Sequence, residues 1–278
     1  MMLQVSNRCR MMCPHCRDDS RPDGGLMDMR TLRNALAFAS AAKLRHVVIS
    51  GGEPTEHPDL LNFCKEVSKA GLAFSLCSNG MWIGDEKAEW RAERIAKLRG
   101  FVGMQIYSNP KWYRIHDDTV ARYRVQESRW RGLGIGLDLN DIRSMSDIGR
   151  ARTCEAAMEE VRRSKYHNMC LTAHLTAVQS GSLEQFFRLM LSQFKSCTPM
   201  VDWKGLFHMS ESCLCPHIAD INSDSHETIW ERMRASRPCG GCLPCRRFLS
   251  EDTDKMVRVR EVLGMAKIPS EEASTKER

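Results

Sequence analysis

Short apolar runs alternate with longer amphipathic stretches through the first two thirds of the chain, and no other feature limits the fold so strongly. The runs are Leu3–Asn7, His46–Ser50, Ala73–Cys77, Val102–Tyr107, Gly134–Leu139 and Met169–Ala177. Between them lie helical patterns over Asp28–Ala42, Leu60–Ala70, Lys87–Leu98, Asp117–Arg131 and Thr153–Ser164. Asp59 stands where an N-cap belongs, and Gly71 stands where a helix stops. Short strands separated by helices of ten or more residues predict an α/β chain with a parallel sheet. In βα-barrels, chemistry gathers at the C-terminal ends of the strands. The segments just beyond each run are therefore where a site belongs.

Three cysteines follow the first run, as Cys9-Arg-Met-Met-Cys13-Pro-His-Cys16. Iron–sulfur clusters are normally held by four thiolates, so three leave one iron open. An open position is what separates a catalytic metal site from a closed structural one. A zinc site completed by His15, or chance clustering in a Cys-rich chain, is the alternative. Beyond the second run comes Gly51-Gly52-Glu53-Pro54-Thr55 with His57-Pro58, and beyond the third Ser78-Asn79-Gly80. With these segments in order, the chain resembles the radical S-adenosylmethionine (SAM) enzymes. That family's signatures are C-x₃-C-x₂-C after the first strand, GGEP after the second, and a small-polar-Gly turn after the third.

The resemblance implies a partial (β/α)6 TIM-like barrel and assigns roles residue by residue. Cys9, Cys13 and Cys16 would ligate a 4Fe–4S cluster whose open iron chelates SAM. Gly51, Gly52 and Glu53 would meet the methionine amino end, with Pro54 stiffening the turn. Glycines suit close backbone approach, and a carboxylate accepts hydrogen bonds from an ammonium. Ser78 and Asn79 would contact SAM ribose or carboxylate, and Ser108 resembles the family's serine at the fourth strand end. The His116-Asp117 pair resembles a downstream family pair, although His116 also reads as a helix cap. The fifth unit carries Asp138 and Asn140. Arg150, in Ile148-Gly149-Arg150-Ala151, reads either as a partner of the SAM carboxylate or as a surface arginine. His174 reads as a core histidine, and Cys64, Cys77, Cys154 and Cys170 read as core thiols.

The last third differs in kind. Cys197 precedes a hairpin-like Val201–Met209 with Lys204-Gly205 at its turn, followed by Cys213, Cys215, a helical Thr228–Ala235 and Cys239-Gly-Gly-Cys242-Leu-Pro-Cys245. This resembles the SPASM and twitch extensions of radical SAM enzymes, which hold an auxiliary 4Fe–4S cluster. Cysteines this dense among Gly and Pro wrap a metal, zinc being the alternative. Ser210 breaks the extension's usual Gly-x₄-Cys, which leaves open whether Cys213 or Cys215 ligates, and which two of Cys239, Cys242 and Cys245 join it. The expected organisation is a barrel over residues 1–195, a small hairpin and Cys-rich auxiliary domain over 196–250, and a charged, fraying tail over 251–278. The first strand begins almost at Met1, so no N-terminal peptide-recognition domain is expected.

Composition narrows the function. The chain of 278 residues, 42% hydrophobic, suits one large domain with an appendage. Thirteen cysteines with no signal peptide argue for a reducing compartment rather than a disulfide framework. No stretch approaches the roughly 18 apolar residues of a membrane helix, and a soluble cytoplasmic protein is expected. The net charge of +6 is spread over Arg-rich helical stretches, which read as solvated faces rather than a nucleic-acid surface. The implied chemistry is reductive SAM cleavage fed by a flavodoxin or ferredoxin, with hydrogen abstraction from a substrate. Oxidation or cross-linking of a peptide or protein leads. Dehydrogenation of a small molecule follows, then nucleoside modification, then a non-catalytic iron–sulfur redox sensor.

Overall fold

The five apolar runs before residue 140 are strands of one sheet. The computed structural model describes residues 1–113, 116–139, 150, 153–163, 169–193, 199–210, 216–239, 250 and 252–266. Strands β1 (Met2–Ser6), β2 (His46–Gly51), β3 (Ala73–Ser78), β4 (Phe101–Tyr107) and β5 (Ile135–Asp138) pair in parallel, each with the next. The crossovers carry α1 (Met29–Ala41), α2 (Leu60–Lys69), α3 (Glu86–Ala96), α4 (His116–Val125) and α5 (Glu127–Gly132). Asp28 caps α1 by accepting from the Thr31 N–H, and Asp85 caps α3 through the Ala88 N–H. The helix expected over Asp117–Arg131 is divided at Gln126.

Alternation along the strands creates two unlike faces. Val47, Ile49, Phe74, Leu76, Met104 and Ile106 are buried in the core. On the opposite face, Val48, Ser75 and Gly103 stand in register, as do Cys77, Gln105 and Gly136. These residues line a cavity of about 780 Å³ on the inner side of the partial barrel. Cys64 is a core thiol as expected, whereas Cys77 faces the cavity.

The sixth parallel strand lies elsewhere than the sequence pattern suggests. Met169–Ala177 falls within helix α7 (Met169–Gln179), which follows α6 (Glu155–Arg163) and precedes α8 (Leu183–Gln193). The stretch alternates apolar residues with Thr172, His174 and Thr176, which mimics a half-solvated strand. His174 and Thr176 are in fact buried, and His174 Nδ1 lies 3.0 Å from Ser236 Oγ. Burial holds the His174 imidazole down at about 4, so it is a neutral core histidine. Polar residues with buried partners remove the contrast on which a period-two reading depends.

The parallel partner on the other side of β1 is β6 (Met200–Val201). It turns back into β7 (Leu206–His208), and β8 (Ala219–Asp220) adds a third antiparallel strand before α9 (His226–Ala235). The resulting order is β5-β4-β3-β2-β1-β6-β7-β8. Gly205 closes the expected hairpin turn at φ 92°, and the Asp202 carboxylate accepts from the Lys204 and Leu206 N–H groups. Within the expected tail, Asp254–Leu263 forms helix α10, whose Met256 and Leu263 pack against Leu175 and Val178 of α7. Among the described residues no helix is long and apolar enough to cross a membrane.

One core runs from Met1 to Met233, across residue 195. Phe38 of α1 joins its parts: its ring meets Phe187 of α8, Phe207 of β7 and His226 of α9 at 6.2, 5.2 and 5.7 Å. Phe38→Ala is predicted to cost about 3–5 kcal/mol, the range for deleting a fully buried ring. Urea denaturation should show one cooperative transition at a lower midpoint. Two separated transitions would mean that the hairpin region unfolds as its own unit.

Candidate active site

At the C-terminal end of β1 the chain leaves the sheet and makes a loop that carries the three cysteines. The loop is closed by backbone bonds: Cys9 N–H donates to Arg21 O, Arg21 N–H to Asn7 O, and Cys16 N–H to Cys13 O. Cys9, Met11 and Cys13 form one apolar cluster, against which Cys16, Met81 and Tyr113 pack. Burial pushes the Cys9 thiol up to about 11 and the Cys13 thiol up to about 12, with repulsion from the other two cysteines adding at Cys13. Such thiols are poor surface nucleophiles and become thiolates by exchanging protons for a cation.

The second motif is a brace. Glu53 is fully buried, and its carboxylate collects four donors. Oε1 accepts from the Thr55 N–H at 3.0 Å, the Thr55 hydroxyl at 2.6 Å and the Ser78 hydroxyl at 3.0 Å, and Oε2 accepts from the Asn79 N–H at 2.7 Å. Burial raises its pKa, while these bonds act to hold the carboxylate ionised. Glu53 thereby caps the 3-10 turn Pro54–Glu56, where Pro54 sits in the first turn, and ties the end of β2 to the end of β3. His57 completes this corner, with Nδ1 accepting from the Asp59 N–H and Nε2 lying 2.9 Å from Met27 O.

The glycines before Glu53 are required by the neighbouring strand. A Cβ on Gly51 would lie 2.3 Å from Ser6 O, and one on Gly52 would lie 2.5 Å from Arg8 O. Gly52 N–H donates to Ser6 O and Glu53 N–H to Arg8 O, which pins the turn to the start of the cysteine loop. Close approach is the reason for glycine here, and what is approached is the backbone at and just beyond the end of β1.

The third motif stands on this brace. The Ser78 hydroxyl donates to Glu53 and accepts from the Gly80 N–H and from Trp82 Nε1, which commits all three of its positions. The Asn79 side chain accepts from the Met81 N–H at 2.9 Å, and its Nδ2 lies 3.6 Å from Cys9 Sγ. Ser108 is buried at the end of β4, where its N–H donates to Asp138 O.

Arg150 is tied to the cysteine loop rather than free on the surface. Its Nε donates to Cys13 O at 3.1 Å, its Nη1 to Ser20 O at 2.7 Å and to the Asp19 carboxylate at 2.9 Å, and its backbone N–H to Cys16 O. The guanidinium is a clasp across the cysteine loop. Two further residues complete the pocket without having been legible as functional: Trp112 and Tyr113, in the loop after β4. His15 packs against both, at 5.5 and 5.4 Å between ring centroids. Burial, then the nearby Arg150, lowers the His15 imidazole to about 4 and keeps it neutral, while burial raises the Tyr113 phenol. Their position beyond a strand end is the only sequence signal that marks them.

Among the described residues no three His, Cys, Asp or Glu side chains converge on one metal-ion position. The fit to a 4Fe–4S cluster rests on the donor set, three thiols on one clasped loop, two buried and Cys16 partly so, with an amide N–H aimed at a sulfur. Of the auxiliary set, Cys239 is exposed, whereas Cys197, Cys213, Cys215, Cys242 and Cys245 lie outside the described residues. Asn140, Ile148, Gly149, Ala151 and the side chains of His116 and Cys170 lie outside them too.

The clasp predicts a metal-retention phenotype. Arg150→Ala, and to a lesser degree Arg150→Lys, which keeps the charge without the fork, should lose iron to a chelator about tenfold faster than wild type. Weaker SAM binding with unchanged iron loss would instead make Arg150 a ligand contact.

Residues 3–107 match the model of the Radical SAM superfamily. The PqqA peptide cyclase of Ruegeria pomeroyi is 32% identical over 85 residues, which is 30% of this chain and 23% of the relative. That of Methylobacterium nodulans is 29% identical over 91 residues, 32% of this chain and 24% of the relative. The match thus spans about a quarter of these relatives. Among solved structures, BtrN in complex with AdoMet and 2-DOIA superposes with a TM-score of 0.55 at 12% identity, covering 96% of this chain and 89% of that one. Streptococcus suis SuiB bound to precursor peptide SuiA does so at 0.52 and 12% identity, covering 100% of this chain and 72% of SuiB. These two share the fold, an α/β partial barrel with antiparallel strands added towards the C-terminus. The three-cysteine loop and the braced turn both fall within residues 3–107, the part of the chain that matches the Radical SAM superfamily model.

Proposed function

We propose that this protein reductively cleaves SAM and uses the resulting radical to oxidise or cross-link a peptide or protein. The observation that carries the reading is the set of three thiols on one loop at the C-terminal mouth of the barrel, two buried and the third partly so, in a chain whose residues 3–107 match the superfamily model. When bound, a 4Fe–4S cluster supplies the electron that splits SAM into methionine and a 5′-deoxyadenosyl radical, which takes hydrogen from the substrate. Cys9, Cys13 and Cys16 would hold that cluster, and Arg150 keeps their loop closed. Glu53 sets the turns of β2 and β3 at one height, so that Gly51, Gly52, Pro54, Ser78 and Asn79 border one site. Ser108 lies at the neighbouring strand end, and Met11, Met81 and Tyr113 keep the thiols from water. The electron would come from a flavodoxin- or ferredoxin-type donor.

A peptide substrate is favoured because the similar curated relatives are PqqA peptide cyclases. Dehydrogenation of a small molecule is the second reading, since a cavity of about 780 Å³ lies within the usual range of small-ligand sites. Cys197, Cys213 or Cys215, and two of Cys239, Cys242 and Cys245 would hold an auxiliary 4Fe–4S cluster, in the organisation of a barrel to residue 195 and a Cys-rich segment to 250.

Two measurements test this reading. Anaerobic incubation of cluster-replete protein with dithionite and SAM should yield 5′-deoxyadenosine, and Cys9, Cys13 and Cys16 replaced together by Ala should abolish it. Absence of the product from replete wild type, with candidate peptides present, would count against SAM cleavage. Reconstituted wild type should hold about eight irons and the triple variant about four, at four per cluster. Zinc in the triple variant would make the C-terminal cysteines a structural clasp.

A further inference from the structure

We infer that Asn79 is a positioning residue for the electron transfer itself: its side-chain amide donates a hydrogen bond to the Cys9 sulfur and raises the reduction potential of the cluster that the sulfur would hold. The inference rests on the reading of Cys9, Cys13 and Cys16 as cluster ligands. It departs from the expectation that the Asn79 side chain contacts SAM.

The orientation of the amide follows from its neighbours. The Met81 N–H can only donate, so the atom 2.9 Å from it must be the Asn79 oxygen. The other end of the same planar amide is then Nδ2, which lies 3.6 Å from Cys9 Sγ, within range for a sulfur acceptor. The backbone is held as firmly, since the Asn79 N–H donates to Glu53 Oε2 at 2.7 Å and Glu53 is itself saturated at Oε1. Asn79 and Cys9 are both buried, so water competes little for this bond.

Adding an electron to a thiolate-ligated cluster increases the negative charge on its sulfurs. A fixed N–H dipole at one sulfur stabilises the reduced form more than the oxidised one, and hydrogen bonds to sulfur are among the factors that set cluster potentials. In a buried site that dipole is little screened. The electron comes from an external one-electron reductant and stays on the cluster, so no proton or bond changes hands in the step.

Two variants separate this role from a structural one. Asn79→Leu keeps the approximate shape and loses both the donor and the Met81 bond. Asn79→Asp keeps the acceptor for the Met81 N–H and turns a carboxylate oxygen to the sulfur. Potentials are read by EPR-monitored redox titration of the reconstituted protein, and SAM affinity by its effect on the reduced-cluster spectrum. Both variants should need a lower potential for half-reduction, with the reduced-to-oxidised ratio at fixed potential falling about tenfold, or 59 mV for one electron. Asn79→Asp should fall at least as far as Asn79→Leu, while SAM affinity changes less than either potential. Wild-type potential in Asn79→Asp overturns the inference, because the turn is intact and only the donor is gone. Unmoved potentials with weakened SAM binding overturn it in favour of a SAM contact. If reconstituted wild type gives no reduced-cluster signal, the reading of the three thiols falls and takes the inference with it.

Discussion

A carboxylate buried at the junction of two strand ends holds the candidate site together. Glu53 sits where water is excluded, and an ionised group there is costly unless every lone pair is answered. Four donors from Thr55, Ser78 and Asn79 answer it, from two different loops. Hydrogen bonds to a charged group are worth about 1.5–3 kcal/mol each, more than neutral ones. The two βα loops are therefore one unit, and neither can move without exposing the carboxylate. Gly51 and Gly52 carry the same unit down onto β1, and through the Arg8 carbonyl to the cysteine loop.

From that junction the site extends in two directions. Towards the cysteines, Asn79 reaches Cys9, and Arg150 closes the loop from the far side by spanning carbonyls of Cys13 and Ser20. Towards the sheet, Ser78 passes the constraint to Trp82, whose ring meets the buried Trp130 edge-on at 5.2 Å. Met11, Met81 and Tyr113 pack around the thiols, and His15 is held uncharged beside Trp112 and Tyr113. A low-dielectric shell of this kind strengthens each of the few polar contacts that remain. The neighbouring cavity is of another character, floored by Gly103 and Gly136 and edged by Ser75, Cys77 and Gln105. Missing side chains there leave volume, and volume is what a substrate needs.

The C-terminal region shares the core of the barrel rather than hanging from it. Phe38 packs on rings from α8, β7 and α9, and β6 continues the sheet beyond β1 with the same parallel sense. Helix α10 adds a smaller cluster against α7, in a stretch whose charge pattern suggested a tail. Its Thr253 cap and the left-handed Gly264 at φ 60° were present as signals, but ten residues of mixed charge concealed the three that are buried, Met256, Arg260 and Leu263.

Local pattern alone determined the strands β1 to β5, most helix boundaries, the hairpin turn at Gly205, and the three motifs at strand ends. Each is written in contiguous residues: an apolar run, a cap, a glycine, a spacing of cysteines. Tertiary structure decided what those residues touch. That Glu53 braces Ser78 and Asn79, that Arg150 clasps a loop more than 130 positions away, and that Tyr113 joins the thiols depends on βα loops meeting at one end of the barrel. No periodicity within a loop encodes that meeting. The misread sixth strand has the same cause, because the burial of His174 and Thr176 is supplied by α9 and its neighbours and cannot be read from Met169–Gln179. Sequence patterns report how a segment faces water, and only packing decides which polar residues lose it.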